Sequence, residues 1–161
     1  MLEQKCVKAS HRHVLPVLGT VEEQLVSIER DENRMSSRET VCRGIRGATT
    51  VEQNNREEIL AATDELLKLL IEKNDLHPDD IVSAIFSMTE DLDAEFPAAA
   101  ARKLGWIETA LICTREIPVP GSLKKCIRVL IHVNTTKSIS EIQHVYIRRA
   151  VDLRPTFKIE L

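Results

Sequence analysis

Arg43-Gly-Ile-Arg-Gly-Ala-Thr-Thr50 marks the change from a polar N-terminal stretch to a patterned chain. Residues 41–45 predict a short strand, closed by Gly47, with Thr49 and Thr50 leading toward a helix. That helix is predicted over residues 56–73. Ile59, Thr63, Leu66, Leu67 and Leu70 recur at i, i+4, i+7, i+8 and i+11, which makes one face apolar. Glu57, Glu58, Asp64, Glu65 and Lys68 occupy the other face. The run Asn74-Asp-Leu-His-Pro78 ends it, because proline cannot continue a helix.

Further along, residues 80–88 read as a strand rich in Ile, Val and Phe, and residues 89–93 as a loop. Residues 96–104 read as a short Ala-rich helix, with Pro97 in its first turn and Gly105 as its stop. Residues 107–114 form the next predicted strand, and Pro118-Val-Pro-Gly121 carries turn chemistry. Residues 126–134 are the most regular strand. Ile127, Val129, Ile131 and Val133 share one face, while Cys126, Arg128, Leu130, His132 and Asn134 share the other. One helical turn over 140–144 and a strand over 145–153 complete the pattern. The order strand, helix, strand, helix, three strands predicts an α+β domain, a mixed β-sheet with helices on one face. The aromatics are few (Phe86, Phe96, Trp106, Tyr146 and Phe157), so the core must be aliphatic. The second face of the sheet is therefore expected to need cover from partner subunits.

Before the strand at 41, the chain differs in kind. Residues 1–40 read as an N-terminal extension, flexible or partly disordered, with a polar run from Glu29 to Thr40. Thr20 and Glu23 suit a capping box over a brief helix. Met35 offers an alternative start of translation. Residues 41–161 are the expected compact domain.

Apolar residues at 43% and charged residues at 29% are ordinary globular chemistry, and a net charge of -3 leaves no basic footprint for nucleic acid. No apolar run approaches the roughly 20 residues that span a bilayer, and the first residues do not read as a secretory signal. The expectation is a cytoplasmic protein without membrane or nucleic-acid partners. Cys6, Cys42, Cys113 and Cys126 are scattered, which argues for free thiols. His11 and His13 lack companion ligands, so no metal and no cofactor are expected.

The run 43–50 resembles the opening of the monofunctional trimeric class of bacterial chorismate mutase. The resemblance continues in order through Phe96-Pro-Ala98, Gly105-Trp106, Leu123-Lys-Lys-Cys-Ile-Arg-Val129, His144-Val-Tyr146 and Leu153-Arg-Pro155. It covers roughly residues 41–157. It implies a pseudo-α/β-barrel homotrimer with clefts between subunits, where chorismate is rearranged to prephenate in aromatic amino acid biosynthesis. That unimolecular pericyclic shift moves no proton and forms no covalent intermediate. It needs cations for two carboxylates, a folded side chain held ready to react, and a donor at the ether oxygen. Arginine suits these tasks.

By resemblance, Arg128 reaches the ether oxygen and a carboxylate, Arg46 binds a carboxylate, and Glu116 accepts from the ring hydroxyl. Gly47, beside Arg46, is expected to let the ligand approach the backbone. Tyr146 donates to a carboxylate and Cys113 contacts the ring hydroxyl. Phe96 and Arg102 face the site of the adjacent subunit, and Leu153 and Arg154 close over the ligand. Outside the family, each arginine would read as a solvent-facing charge. Ala99 stands where many members carry a Lys, Ile112 where a Thr is expected, and one helix residue is missing before Gly105. These departures bear on affinity. The competing reading is a non-catalytic trimeric binding module for a small aromatic carboxylate, against which the joint presence of Arg46, Glu116, Arg128 and Tyr146 argues.

Overall fold

The computed structural model describes residues 38–154, and all that follows concerns those residues. The chain divides into two units between Arg38 and Glu39, and the fold belongs to the second. The expectations for residues 1–37, and Phe157, lie outside the described residues.

The elements in order are β1 (Val41–Thr50), α1 (Arg56–Asn74), β2 (Ile81–Met88), α2 (Ala98–Lys103), β3 (Ala110–Arg115), β4 (Cys126–Thr135) and β5 (Val145–Tyr146). They form one five-stranded sheet in the order β3-β2-β4-β1-β5. β4 runs antiparallel to both β1 and β2, while β1–β5 and β2–β3 are parallel, so the sheet is mixed as the pattern predicted. The β1–β4 ladder is the backbone of the fold. It runs from Val41 opposite Thr135 to Thr50 opposite Cys126 without interruption.

Alternation along β4 sorts the two faces. Val129, Ile131 and Val133 join Ile45, Ala84 and Phe86 in a core shared with Leu66, Leu67 and Leu70 of α1 and with Ala98, Ala101 and Trp106. Both helices therefore cover the same face. Ile59, Leu66, Leu67 and Leu70 are fully buried, and each such side chain contributes roughly 1.5–3 kcal/mol of hydrophobic stabilisation. α1 begins at Asn55, whose side chain accepts the Glu58 N–H at 2.8 Å, and ends at Asp75 in the left-handed region. The opposite face carries Arg46, Ile85, Ser87, Arg128 and Leu130, and Ile85 and Ile112 are exposed there.

Four expectations are corrected. β1 does not stop at 45; it continues through Gly47 to Thr50. Gly47 does not make room for a ligand either. A Cβ there would lie 2.7 Å from Leu70 Cδ1, 3.2 Å from Leu66 Cδ1 and 3.1 Å from Val129 Cγ1. The glycine admits α1 to the sheet, on the face away from Arg46. A further correction concerns residues 145–153. Only Val145 and Tyr146 pair as a strand. Arg148 then takes φ 54°, and a 3-10 helix runs over Arg148–Leu153. The left-handed residue breaks the extension, and the Arg148 guanidinium ties the bend to the Thr50 carbonyl and to Glu65. β3 also starts three residues later than expected, at Ala110.

Among the described residues, no helix is long and apolar enough to cross a membrane. None of their His, Cys, Asp and Glu side chains cluster in threes that could hold a metal ion.

Candidate active site

On the sheet face that the helices leave open, a cavity of about 410 Å³ lies over β1, β4 and β5. Its lining includes Arg46, Arg128, Tyr146, Leu153 and Arg154. Each arrives there for a local reason. Arg46 and Arg128 sit on neighbouring strands, with Ala48 paired to Arg128 and Arg46 to Leu130, so the alternation that buries Ile45 and Val129 turns both arginines outward. Tyr146 pairs with Ala48 in β5 and is buried against Ala48, Cys126 and Ala150. Leu153 and Arg154 come back to the cavity because the chain coils after Arg148 instead of extending.

Glu116 follows β3 directly, and its backbone N–H donates to the Met88 carbonyl. Its carboxylate faces Arg128, with Oε2 3.4 Å from Nη1. Ser87, paired with Arg128 in the β2–β4 ladder, donates its hydroxyl to the other oxygen of the same carboxylate. The Arg128 Nε is buried and, among the described residues, has no hydrogen-bond partner. A buried donor of this kind is costly unless something answers it, so the group is poised for an acceptor. Cys126, two residues earlier on the same face, has its thiol pushed up by burial, more than the nearby Arg128 guanidinium lowers it. It behaves as an inert packing group.

Phe96 and Cys113 are not in this cleft. They line a second cavity, about 420 Å³, with Met88, Leu92, Glu95 and Arg115. Cys113 pairs with Phe86 in the parallel β2–β3 ladder, which sets it on the helix-bearing side of the sheet. It is nevertheless exposed, because β3 is an edge strand. Phe96 is 66% exposed. Arg102 is exposed in the last turn of α2 and lines neither cavity. One chain therefore brings together Arg46, Glu116, Arg128, Tyr146, Leu153 and Arg154, and separates them from Phe96, Cys113 and Arg102. Of the departures, Ile112 is 61% exposed on β3 and Ala99 is partly buried against the core.

Sequence reasoning missed Ser87, which lines the cleft, and His144, which contacts the Arg46 backbone. Ser87 carries no signal beyond its place in an apolar run, and only the pairing register puts it beside Arg128. His144 precedes β5, and its Nδ1 accepts the backbone N–H of Arg46 at 3.1 Å. Burial, then the charges of Arg46 and Arg154, hold this imidazole below its ordinary pKa.

Fold and cleft together define an α+β protein whose open sheet face gathers guanidinium groups around a cavity sized for a small, multiply charged organic anion. Residues 42–157 match the family of type I chorismate mutases. Over 120 residues the chain is 48% identical to chorismate mutase AroH of Bacillus subtilis (strain 168), covering 74% of this chain and 94% of that protein. Over 116 residues it is 48% identical to chorismate mutase AroH of Thermus thermophilus, covering 71% and 95% respectively. Among solved structures, a chorismate mutase from Clostridium thermocellum is 59% identical with a TM-score of 0.66, covering 67% of this chain and 96% of that one. The chain belongs to the type I chorismate mutase family.

Proposed function

We infer that this protein is a chorismate mutase, an isomerase that rearranges chorismate to prephenate for aromatic amino acid biosynthesis. The observation that carries the reading is the convergence of Arg46, Arg128 and Arg154 with Tyr146 on one cleft. Chorismate is a dianion, and three guanidinium groups with a phenol answer its charges. The reaction breaks one C–O bond as a C–C bond forms, and negative charge grows on the ether oxygen. Arg128 supplies the donor there. Its Nε is buried without a partner among the described residues, while Glu116 restrains Nη1. A donor fixed before the reaction stabilises the transition state without reorganisation. Arg46 and Tyr146 hold the carboxylates, so the enolpyruvyl arm stays folded over the ring. Glu116 keeps an oxygen for the ring hydroxyl, and Leu153 and Arg154 close the rim.

The active assembly is a homotrimer, and Phe96, Arg102 and Cys113 serve the cleft of the neighbouring copy. This is supported by their separation from Arg128 within one chain and by the exposure of Phe96 and Ile112. The enzyme needs no cofactor, because no electron, proton or group leaves the substrate.

The test is loss of chorismate ultraviolet absorbance with purified protein, beside an Arg128→Ala control. Wild-type turnover is expected, reduced in the variant by about 10²–10³-fold, the usual cost of one oxyanion donor. A wild type without turnover overturns the function. A variant as active as the wild type overturns the role of Arg128. Binding of chorismate without turnover favours a carboxylate-binding module instead.

A further inference from the structure

We propose that His144 is a positioning residue for Arg46, and that it acts only as the neutral imidazole with Nδ1 unprotonated. The proposal deepens the reading of the cleft given above and rests on it for the role of Arg46.

β5 is only two residues long, and its ladder with β1 pairs Gly47 and Ala48. It stops before Arg46. The Arg46 N–H must still be answered, because even a part-buried backbone donor left unpaired carries a cost. The answer comes from a side chain: His144 Nδ1 lies 3.1 Å from the Arg46 nitrogen. The imidazole thus adds one more rung to the parallel ladder, in the place of a strand carbonyl. A ring nitrogen accepts only when it bears no proton, so the neutral ring carries its proton on Nε2.

The ring is held on both sides. Behind it, the Asn74 side chain at the end of α1 clamps Gln143. Its Nδ2 donates to the Gln143 carbonyl at 2.8 Å, and its Oδ1 accepts the Gln143 N–H at 2.8 Å. Asn74 is itself buried. Ahead of it, Val145 is fixed opposite Gly47. His144 is therefore suspended between a helix end and the sheet, and it passes that rigidity to the one backbone position whose side chain is Arg46. A guanidinium reaches its carboxylate through a long flexible stem, so its aim depends on a fixed Cα.

Protonation reverses the contact. An Nδ1–H would point at the Arg46 N–H, two donors face to face. The charged groups acting on the ring are Arg46, from β1, and Arg154, after the 3-10 helix, both cations that oppose a further positive charge. With burial they keep the ring neutral below its ordinary range. The sign follows: the positioning is complete at neutral pH and above, and it is lost as pH falls through the lowered pKa of His144.

The experiment uses the full chain. Nitrogen-15 spectra follow the His144 ring and the Arg46 amide from pH 8 to pH 5. Steady-state kinetics with chorismate compare the wild type with His144→Ala and His144→Asn, since an Asn oxygen stands close to where Nδ1 was. Expected are the Nε2–H tautomer and an Arg46 amide shift with the same midpoint as the ring. Wild-type kcat/KM should be flat above that midpoint and fall below it. His144→Ala should lose about tenfold in kcat/KM, mainly through KM, the size of one lost hydrogen bond, and its fall at low pH should vanish. His144→Asn should recover most of the loss and stay flat.

An Nδ1–H tautomer, an Arg46 amide indifferent to the ring, or two variants impaired alike overturns the proposal. So do two unimpaired variants, or a kcat/KM that rises as the ring gains its charge. If the wild type does not turn over chorismate, the functional reading fails, and the spectra alone still decide whether the imidazole is the rung.

Discussion

The Glu116 carboxylate and the Arg128 guanidinium meet across an intervening strand. Glu116 leaves the end of β3, Arg128 stands on β4, and β2 lies between them in the sheet. Ser87 of β2 bridges the gap with its hydroxyl, so the acid is gripped from two strands at once. The pair is partly exposed, at 39% and 21% of side-chain area, and an ion pair of that exposure stabilises a fold by at most ~1 kcal/mol. Its effect is expected in the aim of Arg128 rather than in stability.

Glu116→Ala is therefore expected to lower kcat/KM for chorismate by about 10–100-fold, the value of a charge-assisted hydrogen bond. The melting temperature should hardly move. Ser87→Ala should fall in the same direction by less. Steady-state assays paired with thermal melts check both, and a large drop in stability without a kinetic effect contradicts the assignment.

Gly47→Ala should destabilise the protein by about 1–3 kcal/mol, the range of an overpacked core. The added methyl group meets Leu66, Leu70 and Val129, all in the packed interface between α1 and the sheet. Urea denaturation measures the loss. Had the glycine served the ligand, KM would respond and stability would not.

Asp91 secures the start of β4. Burial raises its pKa, but the Thr89 hydroxyl and the Lys125 N–H outweigh burial, so the carboxyl sits below its ordinary value. Both Asp91 oxygens accept the Lys125 N–H, at 3.1 and 3.0 Å, and Thr89 Oγ1 accepts the Cys126 N–H at 3.0 Å. A lowered folded pKa contributes stability above the unfolded value, which is lost as pH falls through the folded one. Asp91→Asn should cost about 1 kcal/mol at pH 7. The gap between wild type and variant should begin to narrow near about pH 4, the unfolded carboxyl value, and close only as pH falls through the lowered folded value. Urea midpoints at several pH values would reveal it.

The exposed isoleucine on β3 offers a test of the proposed assembly. If the proposed homotrimer packs over this face, Ile112→Glu should shift it toward monomer in sedimentation equilibrium, because a charge buried in an apolar contact is costly. Turnover should fall with the trimer. A monomeric wild type with full activity would contradict the shared cleft.

β4 was fully legible in the amino-acid sequence, since one face meets the core and the other meets the cleft, and that split writes itself as alternation. α1 was legible for the same reason at a helical period. β1 and β5 were misjudged because glycine and apolar residues are ambiguous locally. Gly47 looks like a stop, and only the approach of Leu70 explains it inside a strand. Residues 145–153 have a strand's composition, but Arg148 in the left-handed region turns the chain. Arg46 and Arg128 could be named from their motifs. Ser87 and His144 could not, because their partners lie 29 and 98 residues away and follow from register alone.

β1 carries a parity. Odd-numbered Ile45 and Gly47 look toward α1, and even-numbered Arg46 looks toward the cleft. A single inserted or deleted residue in this strand exchanges the two sets, driving a guanidinium into an aliphatic interior and an isoleucine into the cleft. Errors of length here cannot be graded: folding and chemistry fail in the same step.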